Sequence, residues 1–224
     1  MKQKYVLGTF VLAAVTGLAQ AGASTTLILD DFDADPNDDA GGPGVYSSTM
    51  FSDPFSQGGV FNLDTSFDSG SDIGAVFFNS GIGAEQGASI SYSNNGAGLD
   101  LDGIGLGIEG FDIDFLLSDQ DFVANIVLTT FDAGGAAVGD ASWAVLVSAG
   151  ASTAHWSFTD FQIINGDFDA SNIDDITINF NLADNPTASL DFVATEFRAT
   201  VAVPAPGSLA MLGLGGLVAT RRRR

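Results

Sequence analysis

Cysteine is absent from the 224 residues, histidine occurs once, and basic residues are almost confined to the two ends of the chain. Without cysteine no disulfide can staple the fold, so stability must come from packing or bound ions. A single histidine, His155, leaves too few ligands for zinc, which draws on several Cys or His side chains. It is also the only imidazole base for a nucleophilic triad, and no Gly-x-Ser-x-Gly elbow lies near it. Lys2 and Lys4 open the chain, Arg221, Arg222, Arg223 and Arg224 close it, and Arg198 is the only basic residue between. All 28 acidic residues fall between Asp30 and Glu196. A surface of that sign repels phosphate backbones and anionic lipid, which excludes nucleic acid as a partner.

The apolar run at each end is short, which makes it marginal as a permanent membrane anchor. At the N-terminus, Lys2 and Lys4 precede an apolar stretch over residues 5–18, followed by small residues at Ala19, Ala21 and Ala23. These three parts predict a secretory signal peptide over residues 1–23, cleaved after Ala21 or Ala23 and read by Sec-type export machinery. At the C-terminus, residues 199–220 are uncharged apart from their flanks. Pro204-Ala205-Pro206 cannot lie within a helix, because proline lacks the amide donor and its ring clashes with the preceding turn. A helix starting at Gly207 and ending at Ala219 spans roughly 20 Å at ~1.5 Å per residue, short of a ~30 Å hydrocarbon core. The tail is expected to engage the inner membrane transiently, with Arg221, Arg222, Arg223 and Arg224 on the cytoplasmic side and the acidic domain outside.

Pro204-Ala205-Pro206, the short apolar segment after it and the terminal arginines together resemble the PEP-CTERM sorting signals of Gram-negative bacteria. Ala205 stands where that family's name-giving glutamate is found. The resemblance covers residues 204–224 only. It implies recognition and cleavage by an exosortase-like membrane protease, and a destination at the cell envelope, outer surface or extracellular matrix, where such substrates are linked to polysaccharide and biofilm.

Residues 24–203 remain as one acidic domain, long enough for a sizeable core. Phe111-Asp112-Ile113-Asp114-Phe115 alternates strictly, as do Ile176-Thr177-Ile178-Asn179-Phe180-Asn181-Leu182 and Leu190-Asp191-Phe192-Val193-Ala194-Thr195. Period-two patterning marks half-buried strands. Residues 122–131 and 143–147 are rich in β-formers, while Gly, Asp, Asn and Ser clusters at 33–44, 68–74, 94–98, 132–139 and 165–169 predict turns. No amphipathic helix interrupts them. Many short strands without crossover helices predict an all-β fold, a single antiparallel β-sandwich or jelly roll. Its first and last strands, near residues 27–32 and 190–202, are expected to pair. The pattern is also similar in architecture to carbohydrate-binding-module jelly rolls.

Three chemistries are open to such a domain. Asp31, Asp33 and Asp35 begin with the alternate-carboxylate spacing of an EF-hand. Pro36 and Gly42, however, stand where that loop needs glycine and the bidentate glutamate. A single structural calcium remains the one cofactor to consider, held by Asp31, Asp33 and Asp35, with Asp191 joining if the terminal strands meet. Sugar binding needs an exposed aromatic platform beside planar polar groups, for which Trp143, Trp156, Tyr46 and Tyr92 are available and the adjacent His155 and Trp156 are the leading pair. Glycoside hydrolysis needs two opposed carboxylates, and the sequence does not single out which. The expected function is non-enzymatic: an exported surface or matrix protein sorted by its tail. A lectin-like module that binds extracellular polysaccharide is the alternative, and a glycoside hydrolase the third reading.

Overall fold

The structure, a computed structural model, describes residues 24–32, 45–52, 54–56, 59–68, 73–182, 184 and 186–203. The expected signal peptide and the tail, with Pro204, Ala205, Pro206, Arg221, Arg222, Arg223 and Arg224, lie outside the described residues, as do Asp33 and Asp35. The described chain forms β1 (Ser24–Asp30), β2 (Val45–Ser52), β3 (Val60–Asp68), β4 (Ile73–Asn79), β5 (Glu85–Tyr92) and β6 (Ile108–Ser118). It continues through β7 (Phe122–Phe131), β8 (Ala137–Val147), β9 (Ser152–Ser157), β10 (Gln162–Gly166), β11 (Asp175–Phe180) and β12 (Asp191–Ala202). The only α-helix among the described residues is a single turn, Gly103–Leu106.

Two antiparallel sheets result. The first has the order β3-β4-β12-β6-β9, with β1 also paired to β12, and the second the order β10-β8-β7-β11-β5-β2. The expected all-β sandwich is therefore what forms, and its terminal strands do pair, with Ser24 opposite Ala202 and Asp30 opposite Phe197. The alternating segments behave as their pattern requires. In β6, Phe111, Ile113 and Phe115 are buried, and in β11 so are Ile176, Ile178 and Phe180, while the polar residues between them face out.

β12 runs further than its alternation suggests. Register shifts around Ala194 and Glu196 form an irregularity against β6. This moves the inward set from Phe192 and Ala194 to Phe197 and Ala199. A strictly alternating reading stops at Thr195 for this reason. β10 is the other departure, since residues 165–169 read as a turn yet Asn165 and Gly166 pair with β8. All five of its residues are exposed, so no burial contrast marks it in sequence.

Phenylalanines fill the space between the sheets. Phe192 packs against Phe78, Phe122 and Phe180 at centroid separations of 5.0, 5.3 and 5.1 Å. Tyr92 stacks on Phe197 at 5.4 Å across the two sheets. Burying each such side chain stabilises the fold by roughly 1.5–3 kcal/mol, with about 0.5–1.5 kcal/mol more for favourable ring pairs. A core of this kind replaces the disulfides the sequence lacks.

Candidate functional site

Trp156 is wholly buried, at 0% exposure, and belongs to the core. Successive residues of a strand point to opposite faces, so Trp156 and His155 of β9 lie on opposite sides of the first sheet. The sequence pairing of these two as a sugar platform is therefore corrected. Tyr92 is buried too, and Trp143 and Tyr46 pack partly against the core.

His155 instead joins a polar array on the outer face of the first sheet. Its Nδ1 lies 2.7 Å from Asp112 Oδ1, and the Thr200 hydroxyl donates to Asp112 Oδ2 at 2.6 Å. Alongside, Arg198 donates through one guanidinium nitrogen to Asp114 Oδ2. It also donates to Glu196 Oε1 at 2.9 Å and, through the other nitrogen, to Asp114 Oδ1 at 3.1 Å. Thr153 completes the set with a 2.6 Å bond to Asp114. Burial alone would raise the Asp114 carboxyl, but the bonds from Arg198 and Thr153 and the guanidinium charge outweigh it, and its pKa falls below the ordinary value. The same bonds to Asp114 raise the Arg198 pKa. These side chains spend their hydrogen bonds on one another, as a structural array does.

Of the carboxylates considered for calcium, Asp33 and Asp35 lie outside the described residues, and the two that are described, Asp31 and Asp191, are not brought together. Asp30 pairs with Phe197 in the β1–β12 ladder, whereas Asp191 starts β12 and pairs with Asn79. The six-residue offset at ~3.3 Å each separates Asp191 from the Asp30–Asp31 end by roughly 20 Å. Asp191 faces Asp119 instead, taking the amide bond Asp191 N–H to Asp119 Oδ1 at 2.8 Å, and burial followed by the Asp119 charge raises its pKa. Asp30, not Asp31, is the buried carboxylate of that loop, and its Oδ1 accepts the Phe32 amide at 2.8 Å. Among the described residues no group of three or more His, Asp or Glu side chains is arranged to hold a metal.

The second sheet offers a concavity. A groove of about 250 Å³ opens on its outer face across β2, β5 and β11, lined among others by Ser47, Thr49, Phe51, Gly87, Ser89 and Asn179. Register places these side by side, with Ser47 opposite Ser89, Ser89 opposite Asn179, and Thr49 opposite Gly87. The two serine hydroxyls lie 2.7 Å apart. Gly87 makes room for the ring of Phe51. A Cβ at residue 87 would come within 2.9 Å of Phe51 Cζ and of the Asn181 carbonyl oxygen. Phe51 remains 39% exposed, so its outer surface is available.

Asn181 closes the floor and is spent structurally. Its amide donates to the carbonyls of Gln86 at 2.7 Å and Thr187 at 2.9 Å, and its Oδ1 accepts the Thr187 amide at 2.6 Å. Asn179 lies on the outward side of β11, half-buried, where it lines the groove. Among the described residues, no carboxylate or cationic side chain lines it.

None of the groove residues was singled out in the sequence. Asn179 was visible only as the polar member of an alternating strand. Phe51 and Phe55 flank Pro54 in a stretch otherwise rich in Ser, Asp and Gly, and two phenylalanines in such a setting were the available signal.

No family model matches the chain, and no curated protein matches it. Solved structures do. The chain is similar to the family 11 carbohydrate-binding module from Clostridium thermocellum solved in complex with a β-1,3-1,4-mixed-linked tetrasaccharide. Identity there is 14% and the TM-score 0.51, over 80% of this chain and 96% of that one. Similarity to the solution structure of CtCBM11 is 16% in identity with a TM-score of 0.51, over 84% of this chain and 100% of the other. A family 30 carbohydrate-binding module of the cellulosomal cellulase Cel9D-Cel44B of the same organism aligns over 79% of this chain and 98% of its own, at 15% identity and a TM-score of 0.48. The described residues form an antiparallel β-sandwich, and the matches at a TM-score of 0.51 place its fold among those of carbohydrate-binding modules.

Proposed function

We propose that this protein is an exported, non-enzymatic carbohydrate-binding module that takes a neutral glycan into the groove on β2, β5 and β11. The alternative reading of the sequence becomes the leading one, and a purely structural matrix role is what remains if no glycan binds. The observation that carries the proposal is the seating of Phe51 over Gly87 beside the hydroxyls of Ser47, Thr49 and Ser89 and the amide of Asn179. A sugar ring presents an apolar C–H face and an equatorial rim of hydroxyls. An exposed phenyl ring matches the first, and hydroxyl and amide groups match the second.

Charge narrows the ligand. Among the described residues the groove lining carries no charge, and the domain around it is strongly acidic, so polyanionic glycans are repelled and neutral ones are not. Binding without catalysis fits the same lining, since a glycoside hydrolase needs two carboxylates across its cleft. Export by the signal peptide, and sorting to the cell surface or matrix by an exosortase acting on residues 204–224, would place the module where polysaccharide is found.

The test is retention of the full chain, in detergent, on immobilised neutral and anionic polysaccharides. Retention by a neutral glycan that weakens about tenfold or more in Phe51→Ala and Asn179→Ala supports the proposal. Retention unaffected by both substitutions rejects the groove as the site.

A further inference from the structure

Beyond the groove, the chain leaving β2 carries a second exposed aromatic ring. Phe55 follows β2 in the turn over residues 54–56 and is 64% exposed. Its ring lies over Gly83, just ahead of β5. A Cβ at that position would approach Phe55 Cε2 to 2.7 Å and Cδ2 to 2.9 Å. Gly83 is fixed there by a left-handed φ of +72° and by its amide bond to Ser189 Oγ at 2.6 Å. Phe51 sits in the same way over Gly87.

Two bare glycines on one stretch of chain therefore each bear a phenyl ring, with Glu85 between them. Gly83 and Gly87 are four positions apart, with Ala84, Glu85 and Gln86 between them, which limits their Cα distance to about 14 Å. Ile82, next to Gly83 in sequence, is 73% exposed.

Resting on the groove reading, we propose that Phe51 and Phe55 form a two-ring platform for a neutral glycan chain running along β5, with Phe55 as a second subsite beyond the groove. A single sugar ring can cover one phenyl group but not both. A chain of several sugars can cover both while its hydroxyls reach Ser47, Ser89 and Asn179. The ligand class this selects is an extended polysaccharide segment, and affinity must grow with chain length until the Phe55 ring is covered.

The experiment uses the full chain and a panel of mixed-linked β-glucan, xylan, galactan, mannan and glycogen. Oligosaccharides from disaccharide to hexasaccharide of whichever polymer is retained are then titrated calorimetrically. For the wild type, affinity is expected to rise about tenfold or more along the series. Phe55→Ala should flatten that rise and leave disaccharide affinity unchanged, Phe55→Trp should restore it, and Phe51→Ala should weaken every length. Because Phe55 is largely exposed, its variants should keep the wild-type melting temperature. An unchanged length dependence in Phe55→Ala, with Phe51→Ala still weakened, overturns the second subsite and leaves the groove intact. No retention on any member of the panel overturns both.

Discussion

Ser24 stands opposite Ala202 in the β1–β12 ladder, so the described domain begins and ends at one end of the first sheet. β12 then carries the sheet roughly 36 Å to Asp191 at ~3.3 Å per residue, where Asn79 leads into the turn that bears Ile82 and Gly83. The proposed Phe55 subsite lies at that far end.

The core relies on Phe192 more than on any other ring, because Phe78, Phe115, Phe122 and Phe180 all pack on it within 5.5 Å. Phe192→Ala should cost about 3–5 kcal/mol in urea unfolding, from lost transfer energy and the cavity left behind. A loss below about 1 kcal/mol would show that the ring cluster is not the centre of stability.

Two carboxylates should move stability with pH in opposite directions. Burial, offset only in part by bonds from Ser91 and Thr177, raises the Asp175 pKa, and the Asp140 charge adds to it. An acid with a raised folded pKa destabilises once ionised, so Asp175→Asn should raise Tm at pH 7, and the gain should vanish as pH falls below the ordinary carboxylate range. Asp114 is depressed, so the stability it contributes is present above its unfolded pKa and is lost as pH falls through its folded pKa. Arg198→Ala should therefore lower stability by about 1 kcal/mol at pH 7, the half-buried partners being partly screened by solvent, with the difference closing in acid. Thermal melts at pH 3 and pH 7 check both signs.

The proposed sorting would rest on the tail. Replacing Pro204 and Pro206 with alanine should leave export intact but change processing, read as a new C-terminal mass and a different distribution between membrane and surface. Identical mass and location would sink the sorting assignment.

A structural calcium at Asp31, with Asp33 and Asp35, predicts a higher Tm in calcium than in chelator, since a ligand held only by the folded state stabilises it. Equal melting temperatures remove the ion.

The fold was legible because the strands of its core alternate. Phe111, Ile113 and Phe115 of β6, and Ile176, Ile178 and Phe180 of β11, announce both periodicity and facing. β10 was hidden because an edge strand exposed on both faces has no burial contrast to display. The site was hidden for another reason. Alternation gives the face of a residue within its own strand but not which strands become neighbours, so it cannot show that Ser47, Ser89 and Asn179 share a row. It can show that His155 and Trp156 cannot share a face, a consequence that their strand-like setting already contained.

The most direct test of the central claim is the retention of the full chain on neutral polysaccharide, compared between wild type and Phe51→Ala at matched folding. The account predicts saturable retention by at least one neutral glycan, weakened about tenfold or more by the substitution. Equal retention of the two proteins, or retention by polyanionic glycans alone, would contradict it.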